Sequence, residues 1–335
     1  MAMITIQEIS KISGYSPSTV SKALNNYSDI SEKTRQKILK IAKDLRYVPN
    51  ATAQSLVKKR SNTIGIVFEV EYGLNNLFFA KILESIRKQL EIQGYDLIFL
   101  SNNTNNGKDY LKHCYSKQVD GVFVISIGQS KEAVNKLLFS DIPVLSFDPD
   151  VEMKNSIYSE SYNSIKTALK YLYDLGHRKI VFIQGSIYNF IGNMRYRSYL
   201  DFMKEYGLKP YYIKELDNAF YTFDEGYNAM RMNYERFGLP DAVLASSDLM
   251  AIGAMTFLKD KGYHIPDDVS IIGFDDIQLC EIIQPKLTTI RQDYEEIGKR
   301  ASQTLIDMIE NKITNIDPVI IPSKLIVRES CKQRK

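Results

Sequence analysis

Residues 5–24 read TIQEISKISGYSPSTVSKAL, and their spacing predicts two short helices joined by a tight turn. Thr5 followed three residues later by Glu8 is a capping box, in which each side chain answers the other residue's backbone amide. Ile6, Ile9 and Ile12 then recur at helical intervals. Gly14 stops the helix. Ser16 caps the second helix, with Pro17 at its first position, where no amide donor is needed. Val20 and Leu24 fall on one face. After the loop 25–29, Ser31 caps a third helix with a buried stripe of Ile38, Ile41, Ala42 and Leu45. Three short helices with a Gly-containing turn between the first two make a helix-turn-helix unit. Its second helix is the one that enters a major groove, N-terminus first.

On that helix Pro17, Ser18, Ser21 and Lys22 are the exposed positions. Ser18 and Lys22 reach base edges, and Lys to guanine is a common pairing. Thr19 and Ser21 suit phosphate oxygens equally well. The candidate major-groove contacts are therefore Thr5, Ser16, Pro17, Ser18, Thr19, Ser21 and Lys22. Pro49 ends the third helix. Asn50 then caps a turn and a half over 51–57, too short to stand alone in water, so it needs a partner helix or DNA. Ala51 and Ala53 permit close approach, and Leu56 suits a wedge between base steps of a minor groove. Asn50, Ala53, Gln54, Leu56 and Val57 are the candidate minor-groove contacts, followed by a solvated linker at 58–62.

Charge sharpens this reading. The 335 residues carry 43 basic and 40 acidic side chains, a net +3. The first sixty hold eleven basic residues against four acidic, an excess of +7 that leaves −4 for the remainder. Such a head favours contact with a polyanion through counterion release. Lysines also solvate exposed helices in any protein, so charge alone leaves both readings open. With 44% hydrophobic and 25% charged residues, the chain suits two or three soluble globular domains. Cys114, Cys280 and Cys331 are too few and too scattered for a disulfide scaffold or zinc ribbon, and they fit a reducing compartment. His113, His177 and His264 do not form a metal motif. No cofactor or metal is expected. No run of eighteen apolar residues occurs, and the N-terminus lacks a basic segment followed by an apolar one. Neither a membrane span nor a signal peptide is expected, and the expected location is cytoplasmic.

From residue 62 the pattern changes. Apolar strands at 63–68, 95–100, 121–125 and 143–147 alternate with helices at 78–93, 110–117 and 130–138. A second series follows: helices at 163–175, 194–206, 225–237 and 248–261, and strands at 179–183, 242–245 and 269–274. The chain returns through 287–290, a helix at 294–309, and β-formers at 319–321 and 325–327. This predicts an α/β body of two lobes, each a parallel sheet flanked by helices, with a cleft between them. The expected boundaries are 1–47 for the helical head and 48–61 for the hinge helix and linker. The first lobe is expected at 62–160 with about 290–318, and the second at 161–289 with about 319–330.

Ligands in such folds sit outside the carboxyl ends of the strands. The polar candidates there are Asn76, Asp148, Glu160, Arg195, Asp248 and Asp275. Nearby aromatics are Phe78, Tyr158, Tyr188, Tyr196, Tyr221 and Phe274. Flat rings cover the apolar faces of a sugar while fixed polar groups take its hydroxyls. Asp275-Asp276 after a strand is a carboxylate pair suited to magnesium or acid–base work. The preferred reading gives Asp275 a ligand hydroxyl and Asp276 a capping role. His177 reads as a structural residue at a helix–strand junction. No GxGxxG, Walker, HExxH or G-x-S-x-G motif occurs, and catalysis is not expected.

Over its whole length the chain resembles the LacI/GalR family of bacterial transcription regulators. The head carries the resemblance through Thr5-Ile6, Gly14, Ser16, Thr19-Val20-Ser21, Leu24-Asn25, Tyr47, Pro49-Asn50-Ala51 and Ala53. The body carries it through Asn76, Phe78-Phe79, Gly176-His177, the run 266–276 (PDDVSIIGFDD) and the run 285–290 (PKLTTI). The resemblance implies a homodimer on double-stranded operator DNA, with Leu56 inserted at the operator centre. It further implies a periplasmic-binding-protein-like sensor for a small-molecule effector, usually a sugar, here a mono- or disaccharide. It places the effector on Arg195, Asp248 and Asp275, with Asn76 and Phe78 on the near lobe. Glu160-Ser161, Ser198 and Ser247 depart from the family pattern, and Pro17 and Ser18 in the head suggest a base preference of its own. A protein corepressor stays open, and no C-terminal helical tetramer tail is expected. The alternative class is a solute-binding or carbohydrate-modifying α/β protein with no regulatory role on DNA.

Overall fold

The computed structural model of the protein describes residues 4–48, 60–68, 77–100, 109–126, 131–147, 154–217 and 220–334. The hinge candidates Asn50, Ala53, Gln54, Leu56 and Val57 lie outside these residues, as do Asn76 and Asp148. The chain divides into two compact units, 1–61 and 62–335.

The first unit contains α1 (Ile6–Ser13), α2 (Pro17–Leu24) and α3 (Glu32–Asp44). The capping box forms: Thr5 Oγ1 accepts from the Glu8 amide at 3.3 Å, and the Glu8 carboxylate accepts from the Thr5 amide at 2.7 Å. Gly14 follows in the left-handed region at φ 75°, where a side chain would be strained. Ser16 and Ser31 cap α2 and α3 by accepting from the amides of Thr19 and Thr34. Ile9, Val20, Ala23, Ile38 and Ala42 form the core, with Leu24, Ile41 and Leu45 at its edge. Ile12, periodic in the sequence, instead points outward and is 59% exposed. Ile9 and Ser13, one turn apart, hold the buried face of α1.

The second unit holds two larger sheets. The first contains β1 (Thr63–Phe68), β2 (Asp96–Phe99), β3 (Gly121–Ser126) and β4 (Val144–Ser146), all parallel in the order β2-β1-β3-β4. Alternate residues feed opposite faces, as period two requires. Ile64, Ile66, Phe123 and Ile125 pack with α4 (Leu77–Ile92) and α11 (Tyr294–Asn311). Val67, Val122, Val124 and Val144 pack with α5 (Tyr110–Lys117) and α6 (Lys131–Leu138).

The second sheet contains β6 (Ile180–Ile183), β7 (Ala242–Ala245), β8 (Ser270–Asp275), β9 (Thr288–Gln292) and β11 (Ser323–Ile326) in the order β11-β9-β8-β7-β6. β11 runs antiparallel to β9, so this sheet is mixed where an all-parallel one was expected. Val181, Ile183, Val243 and Ile271 face α9 (Phe223–Phe237) and α10 (Asp248–Asp260). Ile180, Phe182, Leu244, Ile272 and Phe274 face α7 (Tyr162–Asp174) and α8 (Phe190–Glu205). Helix α8 begins one turn before the predicted 194, because Asn189 caps it by accepting from the Gly192 amide at 2.7 Å.

A short parallel pair, β5 (Ile157–Ser159) with β10 (Val319–Ile321), was not anticipated. The β-formers at 319–321 mark β10, but the three residues of β5 carry too little pattern to show a strand or its partner. Because β9 runs to Gln292 and β10 pairs with β5, the chain changes sheets near 293 and near 322. These points lie a few residues beyond the expected 290 and 319. Among the described residues, no helix is long and apolar enough to cross a membrane.

Candidate functional site

In the head, α2 presents Ser16, Pro17, Ser18 and Lys22 as exposed residues, with Thr19 and Ser21 half-buried and Thr5 exposed at the start of α1. The hydroxyls at the start of α2 form a cluster, with Ser16 Oγ 2.9 Å from Thr19 Oγ1 and 3.4 Å from Ser18 Oγ. Ser16 is therefore committed to capping, and Thr19 to Ser16. Ser18 and Lys22 lie one turn apart on the exposed face. Lys22 is also ion-paired with Asp29 of the following loop, a contact that the spacing on α2 does not reveal.

In the body, Arg195, Asp248, Asp275, Tyr221 and Phe274 come from the carboxyl-end side of the second sheet. Arg195 projects from the first turns of α8. It is 5% exposed. Its Nη1 donates to the Ser246 carbonyl at 2.7 Å and its Nε to Ser161 Oγ at 3.4 Å. Its guanidinium carbon lies 3.7 Å from the centroid of the Phe274 ring, a close cation–π contact. Burial lowers the guanidinium's pKa, while Tyr221, Asp275 and Asp248 oppose that shift.

Asp275 ends β8 at φ 119°, and its Oδ1 accepts from Gln292 Nε2 at 2.6 Å. Burial pushes its carboxyl up to about 8, reinforced by Asp248 and opposed by Arg195 and Gln292. Asp248 is fully buried at the first position of α10, capped by Ser247. It accepts from Thr289 Oγ1 at 2.5 Å and from the Ile277 amide at 2.9 Å. Burial raises its carboxyl to about 7 against those hydrogen bonds. Asp248 thus ties α10 to β9 and to the turn after β8, with both oxygens occupied inside the protein.

Tyr221 packs over the β6–α8 loop. A methyl group on Gly185 would sit 2.3 Å from its ring, and one on Gly192 would sit 1.8 Å from the Ser186 carbonyl. This loop closes only because both positions lack side chains.

Other expected residues do other work. Glu160 caps α7, its carboxylate accepting from the amides of Asn163 and Ser164 at 2.9 and 3.0 Å. Phe78 packs on Phe79 at 5.5 Å within α4. Tyr196 packs on Tyr212, and Tyr188 is 78% exposed. Tyr158 meets Phe190 edge-on at 5.6 Å, joining β5 to α8. Asp276 does not cap a segment; it pairs with Arg291 at 2.5 Å and Arg328 at 2.7 Å. His177 is buried at the junction of α7 and β6, with Nε2 3.0 Å from the Lys332 carbonyl, and burial lowers its pKa. Sequence reasoning missed the Ser246 carbonyl and Gln292. A backbone carbonyl has no residue-type signal, and Gln292 is placed by strand register alone.

A buried cation on an aromatic face beside a carboxyl group can orient a polar, hydroxylated ligand. Among the described residues no His/Cys/Asp/Glu cluster suits a metal ion.

Residues 5–50 match the family described as "Bacterial regulatory proteins, lacI family", and residues 169–331 match a "Periplasmic binding protein-like domain". Over 338 residues the chain is 33% identical to the HTH-type transcriptional repressor PurR of Histophilus somni (strain 129Pt), covering 98% of this chain and 99% of that one. Its fold is similar to the lac repressor dimer bound to operator and the anti-inducer ONPF, with TM-score 0.84 and 22% identity over 99% of this chain and 100% of that one. It is also similar to the transcriptional regulator CelR–cellobiose complex, with TM-score 0.71 and 25% identity over 98% and 99% of the two chains.

Proposed function

The chain belongs to the LacI family of bacterial regulatory proteins, and from that premise we propose that it is a homodimeric repressor of transcription released from, or held on, its operator by a saccharide. As a member of that family it is a DNA-binding transcription regulator and not an enzyme. This disposes of the carbohydrate-modifying alternative, and the head argues against a plain solute-binding protein.

In this reading residues 1–47 dock on DNA, 48–61 form the hinge, and the two lobes of 62–335 close on the effector. Ser18 and Lys22 read bases. Ser16, Pro17, Thr19, Ser21 and Thr5 position the helix, and Leu56 with Asn50, Ala53, Gln54 and Val57 serve the minor groove. Arg195, Asp275 and Tyr221 hold the effector, with Phe78, Asn76 and Asp148 contributed by the first lobe. Asp248 supports the site from behind, and Glu160 does so through α7. Binding changes the angle between the lobes and decides whether the two hinges of a dimer pair. The protein works in the cytoplasm, on the nucleoid when bound to DNA.

The observation that carries the ligand class is Arg195 stacked on Phe274 beside Asp275. The cellobiose complex of CelR supports a saccharide. The test is binding-site selection from a randomised duplex library with the full chain. Gel shifts on the selected duplex then follow, with a panel of mono- and disaccharides, alongside sedimentation for the dimer. Enrichment of a near-palindrome, with affinity altered by at least one sugar, is expected. Selection of no sequence would overturn the regulatory reading. Selection without any sugar response would overturn the saccharide.

A further inference from the structure

The sequence of α2, PSTVSKAL, carries a single charge, Lys22, and the structure places an acid against it. The loop after α2 turns back on the helix end, with Asn26 at φ 58° and the Tyr27 amide donating to the Lys22 carbonyl at 3.0 Å. From α3, Arg35 donates to the Tyr27 carbonyl at 2.7 Å and to the Ile30 carbonyl at 3.4 Å, and Glu32 braces it at 2.8 Å. Arg35 therefore rivets the chain on both sides of Asp29. The Asp29 carboxylate pairs with the Lys22 ammonium, the two side chains being 54% and 45% exposed. The hydrogen bond from Lys22 holds the Asp29 carboxyl below its ordinary range.

We propose that Asp29 is a positioning residue that reserves Lys22 for a base edge and withholds it from the phosphate backbone. The inference rests on the reading of residues 1–47 as a DNA-docking head. An ammonium has three donors. Asp29 takes one and fixes where the others point. A free lysine on its four-carbon stem swings to whichever phosphate is nearest and gains affinity for every sequence alike. Held by Asp29, it keeps donors for the acceptors of a guanine edge, while the carboxylate offsets its attraction to phosphate. The pair is exposed, so its own contribution to folding is small, and its consequence appears in the balance of generic and specific binding.

The experiment compares the full chain with Asp29→Asn, Lys22→Gln and the double variant on a generic 25-base-pair duplex across a salt titration, and by binding-site selection. Unchanged thermal melts are expected for all four. Asp29→Asn should bind the generic duplex about threefold or more tightly at low salt. Its log–log salt dependence should steepen by about one phosphate contact, a slope change near 0.9. Both gains should vanish in the Lys22→Gln background, and selection should show Asp29→Asn relaxing the same base position that Lys22→Gln relaxes. A gain that survives without Lys22 would mean that Asp29 acts only as a general negative charge, and the proposal fails. Equal binding by the parent and Asp29→Asn also overturns it. If none of the four proteins binds the duplex at low salt, the DNA-docking reading itself falls, and the proposal with it.

Discussion

The Arg328 guanidinium lies 2.7 Å from the Asp276 carboxylate, and both side chains are almost withdrawn from water, at 9% and 6% exposure. Arg328 also donates to the Leu287 carbonyl at 2.9 Å and to Glu281 at 3.1 Å. Asp276 itself stands at φ 61°, directly after Asp275 at φ 119°. Two consecutive non-glycine residues at positive φ are costly, and such backbone persists where its surroundings over-determine it. The arginines hold Asp276 from one side of this turn and Gln292 holds Asp275 from the other.

Removing one partner of a buried pair costs about 3 kcal/mol when the other charge is left alone; here Arg291 still contacts Asp276, so that figure is an upper bound. Arg328→Met should destabilise the body by up to that amount in urea unfolding followed by circular dichroism. A loss below about 1 kcal/mol would mean that Arg291 alone satisfies Asp276 and that the Arg328 pair does not restrain this turn.

Asp248 and Asp275 give stability a distinctive pH dependence. Burial raises both carboxyls, to about 7 and about 8. In the unfolded chain they titrate near pH 4, at about the ordinary value. Between those limits the folded protein binds more protons than the unfolded one, so the free energy of unfolding falls as pH rises. Their contribution is fully present below about pH 4 and is lost by about pH 8. Each carboxyl contributes a slope of at most about 1.4 kcal/mol per pH unit. Urea midpoints from pH 5 to 8 should therefore fall more steeply in the parent than in Asp248→Asn. Parallel curves would show that Asp248 titrates at an ordinary value.

The capping box at the start of α1 satisfies amides that the helix cannot. Thr5→Ala should cost the head about 1 kcal/mol. Hydrogen exchange of the α1 amides in the full chain reports the head separately from the body. Faster exchange confined to residues 6–10 is expected, and unchanged rates would show that the cap is dispensable.

Arg195 is a test of ligand control. Arg195→Lys keeps a positive charge but loses the planar stack on Phe274 and the fixed direction of its bond to Ser246. Ligand response in a gel shift should weaken about tenfold or more, as for a lost hydrogen bond to a charged group, while ligand-free DNA binding persists. An unaltered response would place the ligand elsewhere.

Much of this was readable along the chain. Thr5 and Glu8 are three residues apart, and Ser16 and Pro17 are adjacent, so local rules predict their caps. The alternation Ile180, Val181, Phe182, Ile183 marks a strand buried on both faces, and the structure sends alternate residues to two cores. The site was readable as residue types and less so as roles. Asp276 looks like a cap until Arg291 and Arg328 converge on it. Lys22 looks available until the loop brings Asp29 to it.

What the sequence determined by itself is whatever depends on neighbours a few positions apart: the caps, the periods of helix and strand, the basic head, and the order of the two series. Only the tertiary structure decided which polar side chains spend their hydrogen bonds inside the protein. Such partners lie 15 to 52 residues from Asp276 and 41 from Asp248. Strand register and helix packing bring them together, and neither leaves a trace in residue type.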